Sequence, residues 1–216
     1  MARLRLGVLI SGRGSNLQSL IDHFSKPGAL AEICIVISNK ADAYGLVRAK
    51  AAGLPVLTID HRAYADRTQF DAALDAALRD ARIDLVCLAG FMRLLTTGFV
   101  EAWRDRMINI HPSLLPSFKG LHTHARAIEA GMRIVGCTVH YVRSEMDEGP
   151  ILVQAAVPVL ADDDEDRLAA RVLEAEHRCY PAAIRLIAEG RVRIEGERAI
   201  IAGSGEMPPA TLFNPV

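Results

Sequence analysis

The stretch Leu6-Gly7-Val8-Leu9-Ile10-Ser11-Gly12-Arg13-Gly14-Ser15-Asn16 decides the fold of this chain. Its first five residues form an apolar run typical of a buried strand, and the glycines that follow indicate a tight turn. The next segment carries apolar residues at helical spacing, namely Leu17, Leu20, Ile21 and Phe24. A strand, a glycine turn and a helix in this order are typical of the start of an α/β sheet.

Strand-like and helix-like segments alternate along the rest of the first half. The patterns predict strands over 33–37, 56–59 and 85–89, and helices over 44–52 and 67–79. Strands that are apolar throughout and joined by helical crossovers belong in parallel sheets covered on both faces. We therefore expect a Rossmann-like, mostly parallel open sheet with helices on both faces.

The second half has a different pattern. It predicts a short strand over 107–110, a proline-rich loop, a helix over 124–130, and two strands over 134–142 and 151–159. The longest helix is predicted over 162–189, with a kink or break at Pro181. A small hairpin is predicted over 191–194 and 198–201, followed by an irregular tail over 207–216. These strands are expected to extend the parallel sheet with antiparallel ones.

Composition narrows the classes of function. The 216 residues are 50% apolar and 5% aromatic with a net charge of −1, so a nucleic-acid partner is not expected. The first apolar run is broken by Arg5 and ends at Ser11, which is too short for a signal peptide or a membrane span. We therefore expect a cytoplasmic enzyme.

The cysteines give no indication of a metal site. They are widely spaced, lie in apolar surroundings and form no CxxC or Cys/His cluster, at Cys34, Cys87, Cys137 and Cys179. We interpret them as buried reduced thiols and expect no bound metal.

The turn Ser11-Gly12-Arg13-Gly14-Ser15-Asn16 is a candidate phosphate site. Glycines allow the backbone to approach an anion, and the N–H groups at a helix start favour a phosphate there. The turn matches neither GxGxxG nor GxxxxGK[ST], so it predicts one small phosphorylated ligand rather than a dinucleotide or a nucleoside triphosphate. A plain turn with a helix cap is the alternative interpretation.

Two further segments carry candidate catalytic groups. Asn109 and His111 are two apart on a predicted strand, so their side chains share a face and could together stabilise an oxyanion. The alternative is a core histidine that is hydrogen-bonded to a backbone carbonyl. The acidic turn Glu145-Met146-Asp147-Glu148-Gly149-Pro150 is either a solvated hairpin turn or the source of one carboxylate that handles a proton.

Taken together, these segments resemble the folate-dependent phosphoribosylglycinamide formyltransferase family. The likeness runs in order along nearly the whole chain, through 8–18, 88–95, 108–124, 136–152 and 176–181. Within it, Asn109-Ile110-His111-Pro112-Ser113-Leu114-Leu115-Pro116 is specific to formyl-transferring folate enzymes. Lys119-Gly120-Leu121-His122-Thr123-His124 narrows the resemblance to this family.

The resemblance implies roles at matching positions. The catalytic residues would be Asn109, His111 and Asp147. The ribonucleotide would be bound by Gly14, Ser15, Asn16 and Glu176. The folate would be bound by Arg67, Met92, Arg93, Leu94, Leu95 and Asn109. His122, His124 and His177 are interpreted as supporting residues. Arg143-Ser144 and Glu148 depart from the family pattern, in the loop over the pterin.

The resemblance also implies the reaction. The formyl group of 10-formyltetrahydrofolate, as co-substrate, would pass to the amine of glycinamide ribonucleotide in purine biosynthesis, without a metal. The chain would be a single formyltransferase domain over 1–216, with a nucleotide-binding half over 1–104 and a catalytic and folate-binding half over 105–216. Its partners would be these two small molecules, with no nucleic acid and no membrane, and it would act as a monomer or homodimer.

Three alternatives remain open from the sequence. Formyltetrahydrofolate deformylase shares the catalytic block but carries an N-terminal regulatory domain, for which a first strand starting at about Leu4 is expected to leave no room. Methionyl-tRNA formyltransferase has an extra C-terminal domain and a basic surface, neither of which this sequence predicts. A catalytically silent nucleotide-sensing module would not need Asn109, His111 and Asp147 together.

Overall fold

The computed structural model describes residues 2–203, so the tail predicted over 207–216 lies outside the described part of the chain. The described chain forms two compact units. One contains the residues up to Asn109 together with Tyr141–Ser144, and the other contains Ile110–His140 together with the described residues from Glu145 onward.

The first unit alternates strands and helices as the sequence predicts. Its strands are β1 (Leu4–Ile10), β2 (Ala31–Ser38), β3 (Val56–Thr58), β4 (Leu85–Leu88) and the start of β5 (Met107–His111). Its helices are α1 (Ser15–Phe24), α2 (Tyr44–Ala51), α3 (Arg67–Asp80) and α4 (Thr97–Ala102). The core of this unit packs Leu74 and Leu78 of α3, together with Trp103 just after α4, against the strands. Removing this apolar surface from water is the main force that stabilises the unit.

Most of the strand pairs are parallel. β1 pairs with β2 on one side and β4 on the other, β2 pairs with β3, and β4 pairs with β5, all in parallel. The sheet has seven strands in the order β3-β2-β1-β4-β5, followed by β6 (Ile134–Tyr141) and β7 (Ile151–Pro158), which pair antiparallel. The Rossmann-like sheet with antiparallel strands added is therefore confirmed.

The second unit contains the remaining elements. Besides most of β6 and all of β7, these are α5 (Thr123–Glu129), α6 (Glu165–Ala188), and the antiparallel hairpin β8 (Val192–Glu195) and β9 (Arg198–Ile201). Helix α6 packs against β7 and α5. Its N-terminus is capped by Asp164, whose side chain accepts a hydrogen bond from the Arg167 N–H, and its first turn carries Glu165 and Asp166. These acids lie at the positive end of the helix dipole.

The structure differs from the sequence predictions in four places. Pro181 neither splits nor ends α6, which continues to Ala188. Buried neighbours on both sides of it, Tyr180 and Ala183 among them, keep the helix packed although one hydrogen bond is lost. Helix α4 and a 3₁₀ turn over His61–Ala63 were not predicted. Cys34 is only partly buried, whereas the other three cysteines are buried, and all four are free thiols.

Within residues 2–203, no helix combines the length and the apolar composition that are needed to cross a bilayer.

Candidate active site

The candidate phosphate loop connects β1 to α1 in the first unit. Gly14 precedes the helix in a left-handed conformation, with φ 68° and ψ 33°, and no side chain caps the helix there. The first turn of α1 contains no acidic residue that would repel an anion. Because the first N–H groups of a helix have no intrahelical acceptor, this loop has the backbone geometry of an anion site. Asn16 is buried and Ser15 half-buried.

Helix α2 fixes the shape of this loop through contacts with the loop backbone. The N–H of Gly45 donates to the Gly12 carbonyl oxygen at 3.0 Å, and the Nε of Arg48 donates to the Arg13 carbonyl oxygen at 3.0 Å. A Cβ on Gly14 would lie 2.6 Å from the Cα of Gly45, so both positions must be glycine for the backbones to approach this closely. The sequence did not single out Gly45, and a glycine near a helix start is a weak signal.

The candidate folate residues of the first unit lie on α3 and on the irregular 92–95 segment that follows β4. Arg67 is the first residue of α3 and is exposed. Met92 and Leu94 are 64% and 61% exposed, whereas Arg93 and Leu95 are half-buried. Large apolar side chains exposed to solvent in this way provide a surface that an apolar ligand would cover.

Asn109 and His111 both lie on β5, where alternate side chains share one face of the strand. Asn109 is half-buried beside Leu88 of β4, and His111 is buried. The strand was predicted to end at Ile110, but His111 also has an extended backbone and belongs to β5.

His111 contacts a carboxylate and a carbonyl within the second unit. Its Nδ1 lies 3.4 Å from the Oδ1 of Asp147, and its Nε2 lies 3.0 Å from the carbonyl oxygen of Phe118. Both neighbouring atoms are acceptors, so a ring nitrogen that carries a proton can donate to the one it faces. The geometry therefore holds the His111 ring between a carboxylate and a backbone carbonyl.

Asp147 is turned inward by its backbone. Its φ of 52° lies in the left-handed region, which aspartate tolerates better than most residues, and its Oδ2 accepts a hydrogen bond from the Gly120 N–H at 2.7 Å. The side chain is 13% exposed. The resemblance identified Asp147 among the three acids of the turn, and the structure brings it to His111.

The other two acids of this turn lie in solvent. Glu145 is exposed, and Glu148 forms an ion pair with Lys119. The carbonyl oxygen of Glu148 lies 3.2 Å from the Nδ1 of His140, a buried histidine that the sequence did not single out. The turn is therefore both a solvated hairpin connection and the source of one inward carboxylate.

The unusual Arg143 lies in the first unit and is buried. Its Nη2 donates to the Oδ1 of Asp105 at 2.8 Å, and its Nη1 donates to the carbonyl oxygen of Val142. These bonds fix the backbone at the start of the acidic turn. Ser144 is exposed.

The remaining candidates lie in the second unit. Glu176 is 7% exposed on α6. His122 is exposed and occupies the N-cap position of α5 in a left-handed conformation. His124 lines a small, mostly apolar cavity of about 70 Å³ beneath the loop that follows β5. Burial, together with the nearby His111, lowers the pKa of His124 below its ordinary value, although Glu165 opposes this shift.

In residues 2–203, no group of three or more histidine, cysteine, aspartate or glutamate side chains is arranged to hold a metal ion.

These observations define a class of protein: an α/β fold with a glycine-containing loop at the start of its first helix and a His–Asp pair whose histidine ends a parallel strand. The chain belongs to the formyl transferase family, since the model of that family, described as "Formyl transferase", matches residues 4–184. The expected resemblance is thereby confirmed.

Named relatives agree with this assignment. The chain is 44% identical over 206 residues to a phosphoribosylglycinamide formyltransferase of Escherichia coli, covering 95% of this chain and 97% of that protein. It is 51% identical over 192 residues to the human trifunctional purine biosynthetic protein adenosine-3, covering 89% of this chain but only 19% of that protein. The chain thus spans about a fifth of the length of these trifunctional relatives.

A solved structure is also similar throughout. The glycinamide ribonucleotide transformylase 1 of Symbiobacterium toebii superposes with a TM-score of 0.90 at 52% identity, covering 92% of this chain and 94% of that chain. The fold of this chain is therefore the fold of a glycinamide ribonucleotide transformylase.

Proposed function

We propose that this enzyme transfers the formyl group of 10-formyltetrahydrofolate to the amine of glycinamide ribonucleotide, a step of purine biosynthesis. The observation that carries the proposal is the contact of His111 with Asp147, on a chain 44% identical to a bacterial enzyme of that name. The family membership supports a formyl-folate donor, and the phosphate loop at the start of α1 supports a phosphorylated acceptor.

The proposed chemistry is direct attack by the amine. The nitrogen lone pair of the acceptor forms a bond to the formyl carbon, and the carbonyl electrons move to oxygen to give a tetrahedral oxyanion. The oxyanion then collapses, the bond from the formyl carbon to N10 breaks, and the proton lost by the amine ends on N10. No covalent enzyme intermediate is required, because two bound ligands held in contact can react directly.

Asn109 and His111 are proposed to stabilise the oxyanion. The amide N–H of Asn109 would donate to the developing charge, and the His111 ring, whose two nitrogens face Asp147 and Phe118, would act through its positive charge. Preorganised groups of this kind lower such barriers. Asp147 is proposed to keep His111 positively charged and to pass the proton from the amine towards N10. Its position, 3.4 Å from the ring nitrogen and 13% exposed, suits both tasks.

The ligands are assigned to the residues that match the family. Gly14, Ser15 and Asn16 are proposed to bind the phosphate, and Glu176 the rest of the ribonucleotide. Arg67, Asn109 and the 92–95 segment are proposed to bind the folate, with the segment contributing its backbone. The cytoplasmic location, the absence of a metal, the monomeric or homodimeric state and the division of a single domain at residue 104 remain predictions.

A formyl-transfer assay with two acceptors tests the proposal. The purified chain is given 10-formyltetrahydrofolate with glycinamide ribonucleotide or with water alone, and both tetrahydrofolate and the formylated product are measured. We expect folate release that depends on the ribonucleotide and yields one formylated product per tetrahydrofolate. Equal release without the ribonucleotide would identify a hydrolase and refute the proposal.

A further inference from the structure

The 92–95 segment has no regular secondary structure, so its shape depends on contacts at its ends. At one end, the N–H of Met92 donates to the Oγ of Ser11 at 2.8 Å. At the other end, the N–H and the hydroxyl of Thr96 both donate to the Oδ2 of Asp71, at 2.6 and 2.7 Å. Both anchoring side chains are buried, with Ser11 at 5% and Asp71 at 3% exposure.

We infer that Asp71 and Ser11 are positioning residues that set the backbone of the 92–95 segment for binding folate. The inference rests on the proposed function, because it takes this segment to be part of the folate site. Neither anchor is a family site residue identified from the sequence, and neither belongs to the segment itself.

Asp71 is suited to this task by its charge and its burial. A hydrogen bond to an ionised acceptor is stronger than one between neutral groups, and here one carboxylate oxygen accepts two of them. Thr96 also caps α4, since its Oγ1 accepts from the Phe99 N–H at 3.3 Å. The end of the segment and the start of α4 are thus held at one point. The other oxygen of Asp71, Oδ1, is buried and makes no hydrogen bond within residues 2–203.

Ser11 is held in a single orientation. Its hydroxyl donates to the Oδ1 of Asn39 at 2.6 Å, which leaves its lone pairs for the Met92 N–H. Its own N–H donates to the Gly90 carbonyl oxygen at 3.1 Å. Because Ser11 is the first residue of the candidate phosphate turn, this anchor fixes the segment relative to that turn within the first unit.

Kinetics and binding of variants on α3 test the inference. Asp71→Ala removes the acceptor, and Asp71→Asn keeps an amide oxygen for the two Thr96 donors. Asp75→Ala is the matched control. Asp75 lies one turn further along α3 and accepts a hydrogen bond from the Nε1 of Trp103, the residue that follows α4, so its loss disturbs the packing without touching the segment. Each variant is assayed for kcat and for both KM values, and its affinity for tetrahydrofolate is measured by calorimetry.

We expect Asp71→Ala to raise the KM for 10-formyltetrahydrofolate and the Kd for tetrahydrofolate by about 10-fold or more, the scale of a lost hydrogen bond to a charged group. The KM for the ribonucleotide should stay within about two-fold of the wild-type value, as the hydrogen bonds that Asp71 accepts come from Thr96 and not from the phosphate loop. Asp71→Asn should restore most of the affinity. Ser11→Ala should weaken tetrahydrofolate binding by a smaller factor, since it removes a hydrogen bond between neutral groups.

Two outcomes would overturn the inference. One is an Asp71→Ala variant that binds tetrahydrofolate as tightly as Asp75→Ala does. The other is an equal loss of affinity for both ligands in Asp71→Ala, which would indicate general misfolding rather than positioning. A wild-type chain that binds no tetrahydrofolate would instead refute the proposed function, so the two failures are distinguishable.

Discussion

Replacing Asp147 by asparagine is the most direct test of the proton path. Asparagine keeps the shape of the side chain and tolerates the left-handed backbone, where φ is 52°, so the turn should persist. Its amide oxygen would still accept from the Gly120 N–H, which turns the NH₂ group towards His111. A donor then faces the Nδ1 of His111 in place of an acceptor, and the negative charge beside the ring is lost.

The expected size of the effect follows from the distance. Opposite unit charges 3.4 Å apart attract by about 5 kcal/mol at an effective dielectric constant of about 20. The aspartate charge is 13% exposed, so solvent and relaxation reduce this figure. A loss of roughly 100-fold in the rate of formyl transfer, or about 2.7 kcal/mol, is the scale of general acid–base contributions and lies within that bound.

Rapid-mixing measurement of a single turnover, with both ligands saturating, isolates the chemical step. The Kd values of both ligands should change far less than the rate, because neither the phosphate loop nor the 92–95 segment includes Asp147. The pH–rate profile should also lose one limb. A variant with near-normal single-turnover rates and an unchanged profile would show that Asp147 is only a turn residue.

Three further changes have defined outcomes. Gly45→Ala would place a Cβ 2.5 Å from the Cδ1 of Ile10 and 3.2 Å from the Cα of Gly14, so strain of about 1–3 kcal/mol should raise the KM for the ribonucleotide several-fold. Gly98→Ala, where the Cβ meets open space, is the control, and equal KM values in the two variants would contradict the role of α2. Burial lowers the pKa of His124 below 6.5 in the folded state. The unfolded state therefore protonates this histidine at a higher pH than the folded state does, and the free energy of unfolding falls as the pH drops through 6.5. His124→Gln should therefore lose less melting temperature than the wild type between pH 7.5 and 5.5, and parallel losses would refute this. Treatment with a chelator should leave formyl transfer unchanged, and activity that disappears and returns with a divalent ion would reveal a metal requirement.

The sequence predicted the long elements well because their apolar periods are clear. The apolar pattern repeats over several turns in α3 and α6 and along the whole strand in β1. Helix α4 has only six residues, so Phe99 and Val100 could not establish a period, although Thr96 before them is a suitable N-cap. Pro181 suggested a break in α6, but packing of its neighbours outweighed the lost hydrogen bond.

The candidate site was predictable to different degrees. Asn109 and His111 follow from the alternation of side chains on a strand. Asp147 could not be separated from Glu145 and Glu148 by spacing or charge, and only the resemblance singled it out. The anchor Asp71 is one of three acids on an amphipathic helix, and such residues normally face solvent. Asp71 is buried because the 92–95 segment brings Thr96 to its carboxylate. No local sequence pattern predicts the path of that segment.

The backbone at Asp147 also restricts how this position can change during evolution. A φ of 52° favours glycine, asparagine and aspartate, and of these three only aspartate carries a charge. Glutamate would keep the charge, but its longer side chain does not share the advantage of asparagine and aspartate in this conformation. Substitutions that the backbone accepts therefore remove the charge, and the one that keeps the charge strains the backbone. The backbone conformation and the proposed chemistry therefore restrict this position together.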